Sequence, residues 1–282
     1  MRAKFYGITV MLFMLLTANS VFAEGAKWVQ PGFFINNSIG AAMNPKGLGL
    51  TTEILYRIPF IKNEGMLWRS TKIDFGVVNF LTPSMERISV MLHFEPIAVF
   101  DIKMLAGYDY EYAGLTGGLF PMAKWNSKYD EDTRWANTPN PGNYGGFRMD
   151  IIPTFKVALG PVALLYTFKY TYFDYNYAGF LYDAELDTIV YGTDNVFKHD
   201  IKLLYRIKNV RVGATYNITQ IESTGEVKDT IDAMCVYTPK WSFMPENITP
   251  YGVLLMGTHF QDRIFTYAFH LAGLIGLNIK VF

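Results

Sequence analysis

Hydrophobic and polar residues alternate along most of the chain, as LLYTFKYTYFDYNY at residues 164–177 illustrates. One face of this segment is apolar and rich in tyrosine: Leu164, Tyr166, Phe168, Tyr170 and Tyr172. The other face is mixed: Leu165, Thr167, Lys169, Thr171 and Phe173. Successive side chains of a strand point to opposite faces, so this period predicts a strand with one apolar face. That face suits the core of a soluble sandwich or the lipid-facing side of a membrane barrel.

The alternation recurs and predicts about twelve strands. Their approximate ranges are 28–42, 47–61, 66–82, 86–97, 99–113, 147–159, 162–178, 195–207, 210–222, 229–240, 249–260 and 264–282. Connections in alternate positions are mostly short, whereas the intervening set includes the two long segments 114–146 and 179–194. Short periplasmic turns and longer external loops are typical of outer-membrane barrels. We therefore predict an all-β fold, a transmembrane up-and-down antiparallel β-barrel, and keep an exported soluble sandwich as the alternative.

The N-terminus predicts export. Residues 1–23 carry Arg2 and Lys4, then an apolar run, then the small residue Ala23, which is the pattern of a cleaved signal peptide. A retained signal anchor is the alternative, although the apolar run is short for a membrane span. We therefore predict one barrel domain at residues 24–282, without a transmembrane helix in the mature chain.

The last predicted strand, YAFHLAGLIGLNIKVF, alternates apolar residues and ends on the aromatic residue Phe282. In this the chain resembles the bacterial outer-membrane β-barrel proteins, a porin-like class, without pointing to one family within it. The resemblance implies a location in the bacterial outer membrane, surrounded by the lipid bilayer. It also implies that Phe282 is an assembly signal for the outer-membrane assembly machinery. On this basis Tyr166, Phe168, Tyr170 and Tyr172 should face lipid.

Composition limits the other possibilities. The chain has 25 basic and 25 acidic residues, so its net charge of zero does not suggest a nucleic-acid partner. Its single cysteine, Cys235, excludes an intramolecular disulfide. We find no paired-cysteine metal site, phosphate-binding loop or dinucleotide motif, and we predict no cofactor and no metal.

Charged residues keep to one face of the predicted strands, because a charge near the middle of the lipid face costs roughly 2–4 kcal/mol. The inward charges divide into two sets. The predicted acidic wall of the lumen comprises Glu53, Asp74, Glu95, Asp101, Asp109 and Glu111. The predicted basic wall comprises Arg148, Lys156, Lys169, Lys198, Lys202, Arg206 and Arg211. Opposed walls would create a transverse field that orients solutes, or would pair as salt bridges that plug the lumen.

The long loop 114–146 contains Trp125 and Trp135, which favour packing over disorder. It resembles the constriction loop of general porins in position and length, and a surface lid or adhesive loop is the alternative.

The preferred function is a narrow passive channel for small hydrophilic solutes, anionic or zwitterionic. The second hypothesis is a plugged structural or adhesive barrel whose external loops bind a partner, and the third is a barrel lipid hydrolase. We do not expect an enzyme, because none of His93, His199, His259 and His270 has a serine two residues on. The sequence also offers no nucleophile and base at workable spacing. The oligomeric state is left open.

Overall fold

The computed structural model describes residues 29–43, 47–61, 63, 65, 67–111, 119–127, 144–262 and 266–282. The predicted signal peptide and Trp135 lie outside the described residues. The described strands in chain order are β1 Gly32–Met43, β2 Gly47–Pro59, β3 Lys72–Leu81, β4 Met85–Ile97, β5 Phe100–Glu111, β6 Phe120–Met122, β7 Tyr144–Leu159, β8 Val162–Asp174, β9 Phe180–Asp183, β10 Thr188–Tyr191, β11 Thr193–Ile207, β12 Val210–Ile221, β13 Val227–Tyr237, β14 Ile248–Gln261 and β15 Phe269–Lys280. Among the described residues, no helix is long and apolar enough to cross a membrane.

Twelve of these strands form one closed antiparallel barrel in the order β1-β15-β14-β13-β12-β11-β8-β7-β5-β4-β3-β2. The predicted fold class and number of barrel strands are therefore confirmed. The predicted third strand began too early, because residues 67–70 form a turn in which the Thr71 hydroxyl donates to the carbonyl oxygen of Trp68. The predicted strand at 162–178 also ran too long, since β8 ends at Asp174.

The first and last strands close the barrel. The register pairs Phe34 of β1 with Lys280 of β15. Beyond β15, the Phe33 amide donates to the Phe282 carbonyl oxygen at 3.2 Å, and the rings of Phe33 and Phe282 stack with centroids 5.8 Å apart. Closure leaves no unpaired strand edge in the barrel, as a β-structure that spans a membrane requires.

The two faces of the barrel wall have opposite character. Large apolar side chains such as Ile54, Tyr108 and Leu203 are exposed on the outside. Charged side chains are buried on the inside, where ion pairs join strands that are not neighbours. Lys103 of β5 contacts Glu53 of β2, and Lys156 of β7 contacts Glu95 of β4 at 3.6 Å. Such contacts require a common lumen, so the barrel has an apolar exterior and a polar interior.

The three remaining strands form a separate small sheet in the order β10-β9-β6. β9 and β10 make a hairpin within the connection between β8 and β11, and β6 comes from the connection between β5 and β7. A buried cluster holds this sheet against the barrel rim: Leu119, Phe173, Tyr175, Leu181, Val190, Val196 and Ile221. The turn between β9 and β10, residues 184–187, is thereby carried into the barrel.

Candidate functional site in the barrel lumen

Most carboxylates of the predicted acidic wall are already paired with cations. Arg57 donates to both oxygens of Asp74 at 2.7 and 3.0 Å. Glu95 lies 3.4 Å from Lys72 and 3.6 Å from Lys156, and Lys156 also contacts Asp101. These paired carboxylates therefore bind counter-ions of the barrel itself and are not free to act on a solute.

Glu111, at the end of β5, differs from the rest of the acidic wall. It is fully buried, and neither carboxyl oxygen has a hydrogen-bond partner among the residues that the structure describes.

A dense ionic cluster lies near the end of the barrel that carries the long connections. Arg87 of β4 donates to both oxygens of Asp109 on β5, with Nη2 3.0 Å from Oδ2. Arg148 of β7 lies 3.4 Å from Asp109 and 3.4 Å from Asp150. Lys169 of β8 lies 3.3 Å from Asp150. The cluster thus extends across four strands that are contiguous in the barrel wall.

Glu185, in the turn between β9 and β10, completes this cluster. Its Oε2 accepts from Nη1 of Arg148 at 2.8 Å and from Nη2 of Arg87. The turn is shaped by Asp183, whose Oδ1 accepts from the amides of Glu185 at 2.8 Å and Leu186 at 2.9 Å. The Tyr175 hydroxyl donates to the other Asp183 oxygen at 3.1 Å.

The same turn is bound to the opposite wall. Lys228 of β13 donates to the carbonyl oxygens of Asp187 at 2.8 Å and Leu186 at 3.3 Å. The Thr188 hydroxyl donates to Glu226 at 2.8 Å. β4 and β13 are six strands apart in the barrel of twelve, so they face each other. Residues 183–188, which we call the crossing turn, therefore pass across the lumen from wall to wall.

The charges of the crossing turn depend on its surroundings. Burial opposes ionisation of Glu185, but the guanidinium groups of Arg148 and Arg87 outweigh it and hold the pKa of Glu185 well below its ordinary value. Burial raises the pKa of the Asp183 carboxyl, and the neighbouring Glu185 carboxylate raises this pKa further. The pKa values of these two neighbouring carboxyl groups are therefore shifted in opposite directions.

The strands of the predicted basic wall carry fewer counter-ions where they leave the ionic cluster. Lys198 and Lys202 lie 4.0 and 3.9 Å from the same carboxylate, Asp200. Arg206 is exposed, and its Nε lies 3.4 Å from the Lys208 carbonyl oxygen. Arg206 and Arg211 are register partners near the β11–β12 turn. The structure therefore divides the predicted basic wall. Arg148 and Lys156 each contact at least two carboxylates and Lys169 contacts one, whereas Lys198 and Lys202 share one carboxylate and Arg206 and Arg211 are exposed.

A polar cavity of about 350 Å³ occupies the end of the barrel that carries the short turns. Its lining consists of Asn36, Ser38, Thr51, Glu53, Arg211, Val236, Thr238, Thr249, Tyr251 and Asn278. The crossing turn lies towards the other end of the barrel, because Arg87, Arg148 and Lys228 all sit near the starts of their strands.

Sequence reasoning missed two central features. Arg87 has the same parity as Glu95 on β4, so the alternation rule applied to this strand would have placed Arg87 in the lumen. Glu185 lies in a loop, where alternation says nothing about direction. The long loop that contains Trp125 packs through Leu119 and Met122, whereas Trp125 remains 48% exposed. The assembly role of Phe282 stays a prediction.

His93 and His270 pair with acids on other strands. His270 lies 2.7 Å from Asp232, and His93 lies 3.2 Å from both Asp74 and Asp101. His93, Glu95 and Asp101 are close enough together to contact one metal ion. Lys72 and Lys156 already contact these two carboxylates, so the group is compatible with a structural ion-pair network. The expected absence of a metal and of catalysis stays a prediction.

A closed barrel of twelve strands, with exposed apolar residues outside and paired charges inside, defines an outer-membrane β-barrel protein of bacteria. No protein-family model and no curated protein matches the sequence.

Several solved barrels resemble the structure. The KdgM porin is 11% identical, with a TM-score of 0.38, covering 88% of this chain and 99% of that one. The translocator domain of autotransporter NalP from Neisseria meningitidis is 10% identical, with a TM-score of 0.41, covering 98% and 96%. The TodX monoaromatic hydrocarbon channel is 6% identical, with a TM-score of 0.39, covering 89% and 90%.

Proposed function

We propose that the barrel is a passive channel for small hydrophilic solutes, which the crossing turn closes and opens. The observation that carries this proposal is the division of the lumen. One end contains a polar cavity of about 350 Å³, and the other is crossed by the crossing turn, which side chains and carbonyl groups hold in place. These contacts lie outside the strand pairing of the barrel, so the turn can leave the lumen without unfolding the barrel wall once the buried cluster that holds the small sheet against the rim also opens.

The cations of the lumen that have few counter-ions favour anionic and zwitterionic solutes. Lys198 and Lys202 share one carboxylate, and Arg211 lines the cavity. Cations along a narrow path raise the local concentration of anions and so bias transport towards them.

A second function, a plugged barrel whose external loops bind a partner, is supported by one specific observation. The crossing turn is bound to both walls: its Glu185 accepts from Arg148 on one wall, and its Asp187 carbonyl oxygen accepts from Lys228 on the other. If these contacts never release, solutes do not pass through the lumen. The surface of the small sheet would then bind the partner.

Single-channel recording of the refolded mature protein in a planar bilayer separates the two functions. The informative variant is Lys228→Gln, which weakens the hydrogen bonds to the crossing turn without touching the Arg87 side. Lys240→Gln is the matched control, because Lys240 is exposed beyond the end of β13. We expect discrete current steps in the wild type and a several-fold higher open fraction in Lys228→Gln alone. Inserted but silent protein in all three cases would contradict the channel and favour the plugged barrel.

The reversal potential in a salt gradient tests the solute class. We expect an anion preference that is reduced when Lys198, Lys202 and Arg206 are together replaced by glutamine. An unchanged reversal potential would contradict the role of these cations but would not contradict the channel itself.

A further inference from the structure

The ionic cluster at the crossing turn consists of a wall part and a loop part. Arg87, Arg148 and Lys169 belong to barrel strands, as do their carboxylate partners Asp109 and Asp150. Three wall cations thus contact two wall carboxylates. Glu185 of the crossing turn supplies the third carboxylate. Without the turn, the paired part of the wall has one positive charge in excess.

The wall itself orients the two guanidinium groups. Asp109 holds Arg87 through Nε and Nη2, and Asp150 lies 3.4 Å from Nε of Arg148. Nη1 and Nη2 of Arg87 and Nη1 of Arg148 converge on the Glu185 carboxylate. Two of these nitrogens, Nη2 of Arg87 and Nη1 of Arg148, also contact Asp109. Guanidinium forks match the geometry of a carboxylate, and groups that are fixed in advance bind with a smaller entropy cost.

We propose that Arg87 and Arg148 form a binding site for the carboxylate group of a small organic anion, and that Glu185 occupies this site as an internal ligand. The proposal rests on the proposed function in so far as the anion reaches the site through the lumen. Solute and turn then compete for the same donors. Because Glu185 is part of the chain, its effective concentration is high, so a free carboxylate competes poorly while the turn is in place.

The test uses acetate, which carries the same functional group as the glutamate side chain. Glu185→Ala leaves the two guanidinium groups facing a carboxylate-sized space. Glu222→Ala is the matched control, because Glu222 lies in an exposed loop and accepts from Asn195 rather than from the cluster. Binding is measured as broadening of the acetate methyl signal in nuclear magnetic resonance spectra of the barrel in detergent micelles. Acetamide serves as the neutral probe of the same shape.

We expect acetate to bind Glu185→Ala at least about tenfold more tightly than the wild type or Glu222→Ala, with no such gain for acetamide. Adding Arg148→Lys to Glu185→Ala keeps the charge but removes the fork, and we expect most of the gain to be lost. Equal broadening in all proteins, or an equal gain for acetamide, would overturn the proposal.

Glu185→Gln keeps the size of the side chain and serves if Glu185→Ala does not fold, with heat-dependent gel migration as the folding check. It should bind acetate more tightly than the wild type, and no difference would count against the site. Acetate binding in a protein that never conducts would contradict the channel alone. Conductance in Lys228→Gln without acetate binding in the Glu185 variants would contradict the carboxylate site alone.

Discussion

Arg148 contacts three carboxylates at once and is almost fully buried. A buried charge is tolerated only when partners replace its lost hydration, and the neighbouring strands and the crossing turn supply those partners here. The sequence predicted that Arg148 faces the lumen, because the alternation of side chains along a strand decides the face to which each one points. It did not predict the partners, because these depend on strand register and on a loop that folds back.

The depressed pKa of Glu185 predicts how acid acts on the crossing turn. A lowered pKa means that ionised Glu185 stabilises the bound turn fully above the ordinary glutamate pKa of about 4.3. This stabilisation is lost as the pH falls through the lower pKa of the bound state. We therefore expect the open fraction of the wild type, measured by single-channel recording, to rise only below about pH 4. In Glu185→Gln it should already be high at neutral pH.

Asp183 contributes with the opposite sign, because its raised pKa favours the bound turn at low pH. Asp183→Asn removes this contribution and keeps an oxygen for the amides of Glu185 and Leu186. The pH dependence of the open fraction in Asp183→Asn should then reflect Glu185 without the opposing contribution of Asp183. Opening of Asp183→Asn between pH 7 and pH 5 would contradict the assignment to Glu185.

The β9–β10 hairpin packs against the barrel rim and thereby places its turn in the lumen. Leu181 and Ile189 on it are fully buried. Sequence reasoning identified residues 179–194 as a long external connection and found no strands there, because strands of four residues are too short for alternation to be visible. The apolar residues on both sides of the acidic stretch Asp183–Asp187 were the signal in the sequence that this loop packs against the barrel.

Leu181→Ala should loosen this hairpin without opening the barrel. Removing a buried leucine side chain costs about 2–5 kcal/mol, and here that cost falls on the small sheet. We expect faster protease cleavage within residues 175–192 in micelles, with the barrel still migrating as a folded species. Leu203→Ala, on the exposed outer face, is the control and should leave the cleavage rate unchanged.

At the scale of the whole molecule, the twelve-stranded barrel was predictable because each strand repeats the same apolar and polar alternation. That the crossing turn enters the lumen was not predictable, since this turn lies between two strands of only four residues. The inside and outside of the wall follow from burial, and the membrane supplies the solvent for the apolar face.

The same isoleucine-to-arginine substitution at two depths in the bilayer tests whether the apolar outer face of β11 contacts lipid. Ile201 lies near the middle of β11 and Ile207 at its end, and both are exposed on the outer face. Ile201→Arg should lower the free energy of unfolding by roughly 2–4 kcal/mol, and Ile207→Arg by about 0–1 kcal/mol. The measurement is urea unfolding from lipid vesicles. Equal costs at the two positions would contradict a membrane-spanning β11.

The crossing turn also imposes an order on assembly. Glu185 contacts only β4 and β7 of the barrel through Arg87 and Arg148, and the strands β4, β5, β7 and β8 are neighbours in the barrel wall. The carbonyl groups of Leu186 and Asp187 need Lys228 on β13, which is made later. The first contacts of the turn can therefore form in a half-built sheet, whereas the second set waits until the barrel is nearly complete. The crossing turn can thus be in place inside the forming barrel before the last strand meets the first.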